Sequence, residues 1–152
     1  MQVTVDAAYK PEVLEGIDLN GLVEFVMKYM KLPENTDVSL SFVNNDEIQR
    51  LNREYRGMDK PTDVLSFECD NVPFDDEEID EAQEYELGDV VIATDVVLAQ
   101  NDEYGTTVEE EVTLLTVHGL LHLCGYDHIE DDEAEEMEAL EREIISAWNA
   151  RG

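Results

Sequence analysis

His118-Gly119-Leu120-Leu121-His122-Leu123-Cys124-Gly125-Tyr126-Asp127-His128 contains all three histidines of the chain. They stand at i, i+4 and i+10, with a glycine three residues after the second. The residues just before, Val112 to Val117, are mostly apolar and hold no helix breaker. The pattern predicts a helix that ends at the glycine. Residues four apart on a helix share a face, about one turn along the axis, so His118 and His122 can point at one metal ion. Gly125 can take the left-handed conformation that stops a helix and turns the chain back. That turn can bring His128 to the same ion as a third nitrogen ligand. Three histidines leave a fourth position open, as in catalytic rather than structural zinc sites. Imidazole also suits copper, iron and nickel, so the spacing alone does not fix the metal. A lone histidine on an apolar helix is usually a core residue with one hydrogen bond, and a pair at i, i+4 is often chance. Here every histidine falls at metal spacing around a turn glycine, and the metal reading is preferred.

The spacing is that of the H-E-x-x-H-x-x-G-x-x-H metalloproteases, with one departure. Gly119 stands where those proteases carry the glutamate that acts as general base. Glycine cannot take a proton. Another group activates the nucleophile, or the substrate supplies it, or the site is not hydrolytic. The residue argues against peptide hydrolysis.

Outward from this stretch the chain reads as alternating strands and helices. Thr106-Thr107 followed by Glu109-Glu110 gives two overlapping capping boxes for the histidine helix. From Val112 to Cys124 that helix is apolar nearly all round, the mark of a buried one. Burial favours neutral imidazole, the form that binds metal. Leu87-Gly88-Asp89-Val90-Val91-Ile92-Ala93 is an apolar run behind a glycine and fits a central buried strand. Thr94-Asp95 can cap a short helix through Val97, Leu98 and Tyr104, closed by Gly105. Beyond His128, Glu130-Asp131-Asp132-Glu133 suits a helix start, and Met137, Leu140, Ile144 and Trp148 mark the buried face of a last helix.

Toward the N-terminus, residues 2–9 alternate as a first strand, and Asp18 or Asn20 can cap a helix carrying Leu22, Phe25, Val26, Tyr29 and Met30. Residues 36–43 alternate most cleanly, with Val38, Leu40 and Phe42 facing one way. Asn44 and Glu47 stand at capping-box spacing ahead of a helix with Ile48 and Leu51 inside, ended by Gly57. Pro61 leads into a short strand, Val64 to Phe67. Residues 68–86 carry ten acids and read as a long solvated loop. The order β α β α β β α α α predicts one α+β domain: about four strands in a mixed sheet, packed with about five helices. The histidine helix lies at its centre, and no repeat or second domain is visible.

A chain of 152 residues with 43% apolar content suits one such core. The N-terminus does not look like a signal peptide, and no stretch approaches the roughly 18 apolar residues of a membrane span. Two cysteines, Cys69 and Cys124, make no disulfide framework, so a reduced cytoplasmic setting is expected. Cys124 reads as a small core residue rather than a ligand. Thirty-nine acids against nine bases give a net charge of −30, which repels nucleic acid in general and suits a salt-rich cytoplasm or an acidic proteome. Against that field, Arg50, Arg53, Arg56 and Lys60 cluster within eleven positions. They are either a solvated helix face that offsets nearby acids or an anion-binding patch.

With these segments read, the sequence resembles the YbeY family of bacterial rRNA-maturation metalloproteins, over most of the chain from Leu51 onward. Leu51-Asn52-Arg53-Glu54-Tyr55-Arg56-Gly57-Met58-Asp59-Lys60-Pro61-Thr62-Asp63-Val64-Leu65-Ser66-Phe67 looks like its first signature. Leu87-Gly88-Asp89-Val90 looks like the second, and the histidine stretch like the third and most specific. The resemblance implies one zinc held by His118, His122 and His128, and a functional arginine at Arg56. It implies a single-strand endoribonuclease of rRNA maturation, including 16S rRNA 3′-end processing, and of ribosome quality control. The partners implied are rRNA and the small ribosomal subunit. Glu68-Cys69 departs from the proline common in the family after Ser66-Phe67. Asp127 and Asp63 are candidates for orienting a ligand from behind. A metal-dependent peptide or small-molecule hydrolase, and an assembly factor with a structural zinc, are the alternatives.

Overall fold

The computed structural model describes residues 1–69, 79–80, 82–126 and 131–151. Its sheet has four strands: β1 (Gln2–Asp6), β2 (Thr36–Val43), β3 (Val64–Glu68) and β4 (Tyr85–Ala93), in the order β1-β2-β4-β3. β1 and β4 both run parallel to β2, and β3 runs antiparallel to β4 at one edge. Among the described residues five α-helices accompany it: α1 (Leu19–Tyr29), α2 (Asn45–Arg56), α3 (Thr94–Tyr104), α4 (Val108–Leu123) and α5 (Asp131–Ala150). This is the expected α+β domain with a mixed sheet, and the regular elements follow the expected order.

Alternation along β4 divides the interior in two. Val90 and Ile92 join the large core built with α1, α4 and α5. Val91 and Ala93 face the other way, with Leu65 of β3 and Ile48 of α2. So α2 covers one face of the sheet and α4 the other. Val117, Leu120 and Leu121 of α4 are at most 2% exposed, which makes it the central helix of the larger core.

The helix ends obey their local chemistry. Asp18 caps α1 by accepting from the Gly21 N–H, and Asn44 caps α2 by accepting from the Glu47 N–H at 2.9 Å. The Glu47 carboxylate turns to Arg50 instead of closing a full box. Gly57 and Gly105 end α2 and α3 with φ of 70° and 67°, the left-handed region glycine enters without strain.

Four expectations need correction. The first strand stops at Asp6, because Tyr9 and Lys10 turn aside to bind the Asp95 carboxylate at 2.8 and 2.7 Å. The Lys10 ammonium holds that carboxyl below the usual carboxylate range. A 3₁₀ turn over Pro11–Leu14 follows, which alternation does not signal. Second, Thr94 does not cap α3: it is already helical and buried, and Ala93 occupies the cap without a side-chain bond. Third, only one of the two capping boxes on α4 forms, Thr107 with Glu110; the Thr106 hydroxyl donates to Glu111 instead. Fourth, β4 begins at Tyr85, inside the stretch expected to be loop; 70–78 and 81 of that stretch lie outside the described residues.

Gly88 explains how β3, β4 and the end of α4 close together. The β2–β4 register slips between Asp37 and Val38, leaving Leu87 as the extra residue ahead of Gly88. A Cβ on Gly88 would stand 2.2 Å from the Phe67 carbonyl oxygen and 2.9 Å from Leu123 Cδ2. Only a residue without a side chain lets the two strands and the helix meet there.

Candidate metal centre

The site begins with the way α4 ends. Its last turn closes with the Tyr126 N–H bonded to the Leu121 carbonyl and the Gly125 N–H to the His122 carbonyl, each at 3.0 Å. Gly125 has φ 97°, and this paired closure is the Schellman arrangement. It holds the terminal turn that carries His122 and aims the chain away from the helix axis.

His118 and His122 share one face of that turn. Their Nε2 atoms stand 3.1 Å apart and their ring planes cross at 79°. Two nitrogens on one tetrahedral zinc, each about 2.0–2.1 Å from it, stand about 3.3 Å apart. The pair therefore fits as two ligands of one ion. His118 is 27% exposed and His122 half-buried, so the imidazoles sit at the wall of the core and remain reachable. His128 and Asp127 lie outside the described residues, and no group of three potential ligands forms among the described ones.

Behind the pair stands a residue that sequence reading missed. Glu141 of α5, 7% exposed, hydrogen-bonds His118 Nδ1. The signal was present. Met137, Glu141, Ile144 and Trp148 fall on one helical stripe, and all four are buried. A carboxylate on a buried apolar stripe needs a partner.

Gly119, between the two histidines, faces the sheet. Its added Cβ would lie 2.6 Å from Val90 Cγ1 and 3.2 Å from Ser66 Oγ. The Ser66 hydroxyl donates to the Gly119 carbonyl at 3.0 Å. So side chains of β3 and β4 press directly on the α4 backbone at this point, and the position has no room for a base. Cys124 follows the helix, half-buried against the core, and burial pushes its thiol up to about 12. At neutral pH it stays protonated, a poor metal ligand, as a core residue should be.

The remaining candidates belong to other elements. Asp63 accepts from the Val64 N–H at 2.8 Å and from Gln100, at the opposite end of β3 from His122. It shapes the strand entry. Arg56 ends α2, on the sheet face opposite α4, and is exposed; it makes no hydrogen bond or ion pair among the described residues. The cationic cluster itself divides. Arg50 is bound to Glu47 and Glu54 and Arg53 to Asp59, so these two offset nearby acids. Arg56 and Lys60 stay free of ion pairs among the described residues. Tyr55, 67% exposed, sits beside Arg56 with its ring edge-to-face on Phe67 at 5.0 Å.

The chain as a whole is similar to known proteins. The sequence profile of the family described as Endoribonuclease YbeY matches residues 13–149. The chain is 40% identical to the Endoribonuclease YbeY of Enterococcus faecalis over 159 aligned positions, covering 99% of each chain. It is 44% identical to that of Leuconostoc citreum, covering 97% of this chain and 99% of the relative. Among solved structures it is similar to TM1509 from Thermotoga maritima, with a TM-score of 0.57 and 28% identity. That match covers 98% of this chain and 91% of the other.

Proposed function

Because the chain belongs to the Endoribonuclease YbeY family, we propose that it is a metal-dependent, single-strand-specific endoribonuclease of rRNA maturation and ribosome quality control. Its substrates on this reading include the 3′ end of 16S rRNA, and its partner is the small ribosomal subunit in the cytoplasm. No helix among the described residues is long and apolar enough to cross a membrane, which agrees with work on a ribosomal particle. The observation that carries the reading is the imidazole pair on the last turns of α4, Nε2 to Nε2 at 3.1 Å. His118, His122 and His128 would hold one zinc. When bound, such an ion polarises a phosphoryl oxygen or lowers the pKa of its water.

The chain's own residues set what else the site can do. Gly119 supplies no base, and its contact with Val90 leaves no space for one. RNA differs from a peptide in bringing a nucleophile of its own, the 2′-hydroxyl, so a site lacking the protease glutamate suits RNA better. Arg56, like Lys60, is free of ion pairs among the described residues and can meet a phosphate. Its planar fork matches two phosphate oxygens, and it stabilises charge that develops there. Tyr55 beside it offers an exposed ring face on which an unpaired base can stack.

Incubation with structured RNA and with casein, each with and without chelator, tests the assignment. Chelator-sensitive cleavage of RNA alone is expected; cleavage of casein alone would favour the peptide hydrolase. His118→Ala, purified identically, controls for contaminating nuclease. Arg56→Ala is expected to fold and keep its metal while RNA cleavage falls by about 10²-fold, the scale for losing one positioned charge at a reacting phosphate. Undiminished cleavage in that variant would remove Arg56 from the site, and absence of cleavage in the wild type would favour a binding role for the protein.

A further inference from the structure

We infer that Glu141 is a positioning residue: its carboxylate fixes which nitrogen of His118 is offered to the metal. The inference rests on the metal reading above. Three observations carry it. Glu141 is 7% exposed, on the same buried stripe as Met137, Ile144 and Trp148. Its oxygen meets His118 Nδ1, a contact that ties the His118 ring on α4 to α5. His118 Nε2, the other ring nitrogen, is the one turned toward His122.

The chemistry follows from donors and acceptors. An ionised carboxylate can only accept, so His118 Nδ1 carries the hydrogen and donates it. In the neutral ring the lone pair then lies on Nε2. That atom is the one a shared ion needs. Without the carboxylate, α5 no longer holds the hydrogen on Nδ1. A carboxylate behind a metal-binding histidine also raises the basicity of the ligating nitrogen. Helix α5 thus contributes to the site without supplying a ligand among its described residues, from a position 23 residues beyond His118.

Glu141→Gln keeps the volume but offers either an oxygen or an NH₂ to Nδ1, so it serves both ring forms. Glu141→Ala serves neither. Zinc affinity, measured by competition with a chromophoric chelator, is expected to fall about tenfold in E141Q and up to about 100-fold in E141A. Nitrogen-15 spectra of the zinc-free wild type, in the neutral ring, are expected to show His118 protonated at Nδ1. The same spectra of E141A are expected to show a mixture of the two ring forms, a change that a merely structural role would not produce. If E141A does not fold, E141Q and the wild-type spectrum carry the test. Wild-type zinc affinity retained in the folded variants, or a wild-type ring protonated at Nε2, would overturn the role alone. A wild type that takes up no zinc would overturn the metal reading itself, and this role with it.

Discussion

His118→Ala is expected to leave the protein folded and to abolish tight zinc binding, and RNA cleavage with it. A complete protein zinc site binds with about 10–16 kcal/mol, or roughly 3–5 kcal/mol for each ligand. At about 1.4 kcal/mol per tenfold, loss of one imidazole weakens binding by roughly 10² to 10⁴. The fold should survive, because His118 is 27% exposed and the helix around it is held by Val117, Leu120 and Leu121. Zinc at 100 times its dissociation constant stabilises a native site by about 2.7 kcal/mol. For a domain of this size that amounts to about 5–11 °C in melting temperature. Wild type should show this rise and His118→Ala should not. His128→Ala, measured in the same way, tests the third ligand. A full equivalent of tightly held zinc in either variant, after dialysis against chelator, would remove that residue from the set.

Gly119→Glu, the substitution that would restore the protease motif, is expected to damage the fold rather than create a protease. Two effects oppose one another, and their sizes decide the outcome. Replacing a mid-helix glycine with an ordinary residue gains up to about 1 kcal/mol in helix propensity. Forcing extra atoms into a filled core costs about 1–3 kcal/mol, and more for a long polar chain that arrives without partners. The neighbour struck is Val90 Cγ1 at 2.6 Å, on a β-branched residue of an inner strand that is 0% exposed. It has no flexible end to move aside. Gly119→Ala should therefore already lower the melting temperature by several degrees, with Gly119→Glu far below it or insoluble. A Gly119→Glu protein that melts like wild type, or that cleaves casein, would refute this account of the missing base.

Much of this arrangement was legible before any coordinates, wherever the signal was local. Thr107 and Glu110 announce the start of α4, Gly125 its end, and residues 36–43 a strand, because caps and alternation act over a few residues. The facing of His118 and His122 follows from helix geometry in the same way. What could not be read depended on partners distant in sequence. Glu141 lies 23 residues past the histidine it binds. The reason for glycine at 119 is a valine on β4 and a serine on β3. Asp95 stands where a helix-capping residue is expected, yet its carboxylate is bound by Tyr9 and Lys10, 85 or more positions earlier. Arg50, Arg53 and Arg56 look alike as a run of charges. Only the neighbours separate the two that are neutralised from the one that is free.

That separation bears on how the molecule meets any polyanion. At a distance the net charge of −30 governs, and with Arg50 and Arg53 bound to acids of their own surroundings the end of α2 adds little positive field close by. An approaching RNA feels repulsion from afar and attraction only on close contact. Dissolved electrolyte shortens the range of that repulsion, to about 10 Å at 0.1 M, while contacts at the surface are screened less. Encounter should therefore quicken as monovalent ions are added from very dilute buffer, the reverse of proteins that capture nucleic acid by shedding its counterions.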